Sequence, residues 1–336
     1  MTKRVSVAVV GATGVVGEPL LTALEARQYP VDTLYCLDEG SAVGEKLRRF
    51  GRSIMVEPIT DFDFAQVQLV FFCSEAAVAR SYAHLATEAG CTVIDCSGAF
   101  SAEHDVPLVI PEVNPEALQD FRQSQIIANP SPESIALLLV LKPLHDAVGI
   151  ERINLTTYEP VSVAGKAGID ELAAQTVALL NMKEARSRVF PQQIAFNVLP
   201  QVGSLTDNGY TEGEMKVIWE TQKILGEAGI NLNPTAVLVP VFYGLSMAVH
   251  LESLGHLSAD EAVSLLATAP GVSLHDKGVP TPVGEATKGE MVYVGRVRED
   301  ITHPHGLDLW ITVDNVRRGA ALNAVQIAEL WEKCYI

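Results

Sequence analysis

The sequence predicts an α/β chain in which a Rossmann-type doubly wound parallel sheet is joined to a second α+β domain. Three observations carry this. A glycine-rich turn sits between a β-branched run and a helical run at the start of the chain. Short strand-like runs then alternate with helical patterns as far as Asn129, the signature of a mostly parallel sheet. Beyond that point the strands lengthen and lose this regular alternation, as in a mixed or antiparallel sheet.

In the first part, β-branched residues predict strands over 5–10, 33–37, 68–73, 92–96, 108–110 and 124–128, with helices over 18–27 and 76–89. In the second, a long apolar helix spans 135–144, and Pro132 suits its first turn, after Ser131 as N-cap. Strands follow over 152–160, 237–242, 292–297 and 308–313, and helices over 169–180, 213–225 and 259–268. An amphipathic helix over 320–333 closes the chain, with Leu322, Val325, Ile327 and Leu330 among its apolar positions. The expected division, which includes what a family resemblance implies for the second domain and the last helix, is 1–130 plus 319–336 for the dinucleotide-binding type of domain and 131–318 for an α+β substrate and dimerisation domain.

Composition bounds the function. The 336 residues suffice for two domains with sizeable cores. A net charge of −17 argues against nucleic acid and against an anionic membrane surface, both of which need a basic face. The apolar runs are too short to span a bilayer. Five cysteines (Cys36, Cys73, Cys91, Cys96 and Cys334) lack disulfide-scaffold spacing, so a reducing, cytoplasmic setting is expected. His303-Pro-His305 has no carboxylate or cysteine at ligand spacing, and no metal site is expected. His84, His145 and His250 read as packing residues.

The turn Gly11-Ala-Thr-Gly14-Val-Val-Gly17 has the spacing GxxGxxG. Gly11 allows the tight turn, Gly14 lets backbone N–H groups approach a phosphate, and Gly17 permits close helix packing. The competing reading is a tight turn that no longer holds a nucleotide. Asp38 follows the second strand, where a carboxylate accepts a ribose 2′-hydroxyl; with Glu39 beside it, NAD is favoured over NADP. A solvated acidic turn is the alternative there.

Several segments together resemble the aspartate-β-semialdehyde dehydrogenases. They are Gly11-Ala-Thr-Gly-Val-Val-Gly17, Val106-Pro-Leu-Val-Ile-Pro-Glu-Val-Asn114, Ile127-Ala-Asn-Pro130, Gly209-Tyr-Thr-Glu-Gly-Glu-Met-Lys216, Val294-Gly-Arg-Val-Arg298, and the tail from Asp314-Asn-Val-Arg to Glu329. The similarity is collinear over nearly the whole chain, and within the family it looks most like the Usg-type paralogues that lack the catalytic cysteine. The resemblance implies NADPH-dependent reductive dephosphorylation of aspartyl phosphate and a closed two-fold homodimer. It also implies cofactor contacts at Gly11, Thr13, Gly14, Val15, Gly17, Asp38, Cys73, Ser162 and Asn323.

That chemistry needs a thiolate, an acid-base histidine, hydride from the cofactor, and cations for phosphate and carboxylate. At the matching positions the chain differs. Pro132 stands where the family has its nucleophilic cysteine, within Asn129-Pro-Ser-Pro132-Glu-Ser, and Leu245 in Pro240-Val-Phe-Tyr-Gly-Leu245-Ser replaces the histidine. Leu238 replaces the carboxylate-gripping arginine, Ser101 a phosphate arginine, and Glu159 the glutamine of Thr-Tyr-Gln. Gly40 aligns with the arginine that meets a 2′-phosphate. Glu214 and Lys216 match the substrate-amine glutamate and the phosphate lysine; a pair on a helix surface is the other reading.

Two functional readings follow. In the first, the chain is a catalytically degenerate member that keeps dimerisation and nucleotide binding, with its small-molecule ligand open. In the second, it is an active NAD- or NADP-dependent oxidoreductase on an aldehyde or acyl phosphate such as aspartate semialdehyde, with relocated site residues. Cys73 and Cys96 at strand ends, or Ser131 and Glu133, are the groups that could serve it, although strand-end cysteines are ordinarily small buried hydrophobes.

Overall fold

The computed structural model describes residues 4–275 and 278–336. It divides into two units, Met1–Ser131 with Ala320–Ile336, and Pro132–Gly319.

The first unit contains β1 (Val5–Val10), α1 (Gly17–Ala26), β2 (Val31–Asp38), β3 (Lys46–Arg49), β4 (Arg52–Pro58), β5 (Leu69–Phe72), α2 (Ala76–Glu88), β6 (Thr92–Asp95) and β7 (Ile126–Ala128). They form one sheet in the order β3-β4-β2-β1-β5-β6-β7, parallel except where β3 meets β4. Its central strands, VSVAVV, LVFF and TVID, are almost wholly buried, as a parallel sheet covered on both faces requires. Leu20, Leu21 and Leu24 lie on one stripe of α1 and pack with Val7, Val9, Phe71 and Ile94. Val325, Ala328 and Trp331 of the last helix, Asn323–Tyr335, join the same cluster. Each buried leucine contributes about 1.5–3 kcal/mol. The exposed Arg27–Glu329 pair, with its two 2.7 Å contacts, adds roughly 0–1 kcal/mol.

Two features depart from the expected elements. Residues 108–110 make only a single bridge, Leu108 to Ala128. The Asn114 side chain accepts from the Ile110 amide at 2.9 Å and donates to the Leu108 carbonyl at 2.9 Å, taking groups that a neighbouring strand would have used. The hairpin β3–β4 was not expected, because its sequence is charged; Lys46, Arg48, Arg49 and Arg52 suit an edge that must not pair with another chain.

The second unit contains α3 (Pro132–Val148), β8 (Ile150–Glu159), α4 (Gly165–Leu180), α5 (Glu212–Leu225), β9 (Asn231–Leu238), β10 (Leu245–Ser253), α6 (Ala259–Ala267), β11 (Val272–Leu274), β12 (Val292–Glu299) and β13 (Gly306–Val313); the C-terminal helix Asn323–Tyr335 is α7. The sheet order is β11-β12-β13-β10-β8-β9; β8–β9 and β11–β12 are parallel and the other pairs antiparallel. Residues 134–141 of α3 are buried all round, so this helix is a core element. The predicted strand over 237–242 is instead the end of β9 and a loop containing Pro240, after which β10 starts at Leu245. The alternation of β10, LSMAVHLES, was legible but unassigned. Among the described residues no helix is long and apolar enough to cross a membrane.

Candidate functional site

In the first unit the glycine-rich turn lies at the C-terminal end of β1, where ligands bind in open parallel sheets. Gly11 has φ +76°, and a Cβ there would lie 2.8 Å from the Cys73 carbonyl and the Ser74 nitrogen. A Cβ on Gly17 would lie 2.0 Å from the Gly11 oxygen, so α1 can begin this close to β1 only with glycine. Gly14 donates its amide to the Gly11 carbonyl at 3.0 Å. The N-terminus of α1, after Val15 and Val16, has no side-chain cap, which leaves its positive end for an anion.

Asp38 is tied into this turn. Its Oδ2 accepts from Thr13 Oγ1 at 2.7 Å and from the Thr13 amide at 3.3 Å, and its Oδ1 accepts from the Glu39 amide at 3.0 Å. It is therefore a latch on the turn as well as a carboxylate at the end of β2. Asn323 is fully buried at the start of α7; its Nδ2 donates to Val109 O and Asn129 Oδ1, while its Oδ1 has no partner among the described residues. Gly40 has φ +63° and open space around it. Ser101 is buried.

In the second unit, β8 and β9 end where β10 begins and β13 ends. The register sets Glu159 opposite Leu238, Tyr158 opposite Ser246, and Leu245 opposite Val313. Pro132 opens α3 in the same unit, and a Cβ on Gly319 would lie 2.8 Å from the Pro132 Cβ. The proline thus packs on the bare backbone of Gly319. Leu245 is fully buried, and Leu238 belongs to an apolar cluster with Val161, Leu172, Ile194 and Leu199. Both Leu238 backbone groups bond Leu199, at 2.8 and 3.0 Å. The clamp position is core.

Glu159 is 6% exposed and accepts from Thr157 Oγ1 at 2.8 Å. Burial pushes its carboxyl up to about 8, and the charges of Glu133 and Glu214 push the same way against the Thr157 hydrogen bond. At neutral pH it is therefore mostly a neutral acid. Glu214 is a buried capping residue: Oε2 accepts from the Thr211 amide and Oε1 from the Ala236 amide, both at 2.7 Å. Lys216 lies 3.7 Å from the buried Glu220, one turn along α5. Neither residue is part of a solvated surface pair. Ser162 is buried and accepts from Asn315 Nδ2 at 3.1 Å, while Asn315 Oδ1 accepts from the Gly244 amide.

Cys73 and Cys96 follow directly on β5 and β6, both half-buried. His250 differs from its packing expectation: Nδ1 contacts Asp308 at 3.1 Å, and Nε2 faces Glu252 and Asp300. Sequence reasoning also missed Glu171, which accepts the amides of Arg188, Val189 and Phe190 and so holds the segment after α4. Its only advance signal is a carboxylate on an otherwise apolar helical stripe. Among the described residues no group of three side chains could hold a metal ion.

Residues 6–121 match the family model for the semialdehyde dehydrogenase NAD binding domain, and residues 141–318 that for the semialdehyde dehydrogenase dimerisation domain. The chain is 48% identical to aspartate-semialdehyde dehydrogenase 2 of Vibrio cholerae, with all of both chains covered. It is equally similar, at 48% and full coverage, to an aspartate-semialdehyde dehydrogenase of Shewanella violacea. Among solved structures, Vibrio cholerae aspartate semialdehyde dehydrogenase II complexed with ASA superposes with a TM-score of 0.98 over 99% of this chain and all of that one. The Candida albicans enzyme with NADP, 22% identical, shares the fold at a TM-score of 0.76, over 98% of this chain and 99% of that one. These relatives carry the dehydrogenase name, which corrects the Usg-type assignment: nothing in the comparisons supports that subgroup, or a loss of activity.

Proposed function

The chain belongs to the aspartate-semialdehyde dehydrogenase family, and from that premise we propose that it binds a nicotinamide dinucleotide as a homodimer but does not carry out the family's thioester chemistry. One observation carries the second half: Pro132, with no nucleophilic atom, occupies the start of α3 and packs on Gly319. Without a thiolate there is no acyl-enzyme for hydride to reach. The neighbouring replacements point the same way. Leu238 is enclosed by aliphatic side chains and cannot grip a carboxylate, and the fully buried Leu245 can neither give nor take a proton.

The residues of the first unit fit a dinucleotide. Gly11, Gly14 and Gly17 keep the turn free of Cβ atoms, and the uncapped start of α1 suits a pyrophosphate. Asp38 keeps lone pairs for ribose hydroxyls, and with Glu39 beside it repels a 2′-phosphate, so NAD is preferred to NADP. The orphaned Asn323 Oδ1 is an acceptor awaiting a donor. A bound nicotinamide would supply or accept hydride; these residues hold and orient it. Thermal melts with NAD, NADP and ADP test this part, since a ligand that binds only the folded state raises the melting temperature. No stabilisation by any of them would remove the dinucleotide from the account.

A second reading is favoured by the names of the full-length relatives at 48% identity: an active oxidoreductase on aspartate semialdehyde or a related acyl phosphate. It requires a displaced nucleophile, with Cys73, Cys96, Ser131 and Glu133 as the residues to test. Turnover that survives alanine replacement of each of them would leave this reading without a nucleophile among those residues.

A further inference from the structure

Strands β5 and β6 pair in parallel with Phe72 opposite Asp95, and the ladder runs one residue further, since the Cys96 amide donates to the Phe72 carbonyl at 2.9 Å. Cys73 and Cys96 are therefore neighbours at the end of the sheet. Side chains alternate along a strand, so Cys73 shares a face with Leu69 and Phe71, and Cys96 with Ile94. Both cysteines do pack against the cluster that contains those three residues. Paired strands lie about 4.7–4.9 Å apart, inside the roughly 4.4–6.8 Å Cα separation of ordinary disulfides. Both residues are partly exposed, unlike Cys36 and Cys91.

We propose that Cys73 and Cys96 form a peroxide-sensitive dithiol that closes to a cross-strand disulfide beside the glycine-rich turn. The Cys73 sulfur attacks one peroxide oxygen, the O–O bond breaks, and Cys73 becomes a sulfenic acid as the other oxygen leaves as water. Cys96 then gives up its proton and attacks the Cys73 sulfur, expelling hydroxide, which takes that proton and leaves as a second water. Two thiols are oxidised and one peroxide is reduced. The adjacent Cys73 side chain, burial and the Asp95 carboxylate push the Cys96 thiol well above its ordinary value, which suits Cys96 to the resolving role. The Cys73 backbone touches the turn at Gly11, so the link forms against the wall of that turn. It depends on no reading of what the turn binds.

The test uses the full chain carrying Cys334→Ser, which removes the exposed thiol that would join two molecules. The protein is treated with hydrogen peroxide, alkylated with iodoacetamide and mapped by mass spectrometry. The expected product has lost two hydrogens, contains a peptide linked through Cys73 and Cys96, resists alkylation at both, and reverts with dithiothreitol. Cys73→Ser and Cys96→Ser each abolish the linked peptide. Sulfinic acid at Cys73 with Cys96 still open to alkylation would overturn the proposal, as would both thiols remaining open.

Discussion

Replacing Glu159 by glutamine isolates the buried acid where β8 ends. Glu159 takes up its proton near pH 8 when folded and near 4.5 in the ordinary carboxyl range, so the folded state binds more protons between those values. Stability contributed by the neutral acid is complete below the lower value and is lost as pH rises through the upper one. By linkage, the wild type loses on the order of a few kcal/mol between about pH 5 and about pH 7 through this group alone. Glutamine cannot ionise and keeps an oxygen for Thr157, so the variant omits that loss while all other titrations continue. Urea unfolding of both proteins across this range, compared as a difference at each pH, gives the measurement. The variant gains on the wild type as pH rises. Parallel curves would refute the argument that Glu159 is a neutral, desolvated acid crowded by Glu133 and Glu214.

Other substitutions probe the remaining pieces. Leu238→Arg, which restores the cation of the family, puts a charge into the apolar cluster around Leu199 and destabilises the fold by roughly 3 kcal/mol or more, read as a large drop in melting temperature. Glu214→Ala removes acceptors from the Thr211 and Ala236 amides and costs about 2–4 kcal/mol in denaturant unfolding. Asp38→Ala loosens the Thr13 latch and removes the negative wall, so thermal stabilisation by NAD falls while the preference over NADP narrows. Gly17→Ala places a methyl against the Gly11 carbonyl and abolishes stabilisation by either dinucleotide.

The scaffold was legible wherever local pattern and tertiary role agree. The Gly11–Gly17 turn could be read because strand, turn and helix follow one another directly, and α3 because its apolar run has no other home. The β3–β4 hairpin escaped because an edge carries charged residues where hydrophobic alternation is the usual signal. The strand forecast over 237–242 ran through Pro240, and so hid both the true end of β9 at Leu238 and the start of β10 at Leu245. At the site, single replacements such as Pro132 could be seen in the sequence. Relations across elements could not: Glu159, Glu133 and Glu214 come from β8, α3 and α5, and only the sheet brings their charges together. For Glu214 and Lys216 the sequence left a surface pair open as the second reading, because the partners that fix them, Ala236 and Glu220, are invisible to their spacing.

Turnover itself decides whether the thioester chemistry is lost. Purified chain is assayed with aspartyl phosphate and NADPH, and in reverse with aspartate semialdehyde, inorganic phosphate and NADP, beside the Vibrio cholerae aspartate-semialdehyde dehydrogenase 2 as the comparison. Stabilisation by a dinucleotide is expected with no turnover above background in either direction, because Pro132 offers no thiolate. Turnover matching the comparison would contradict this and would require a nucleophile elsewhere in the chain.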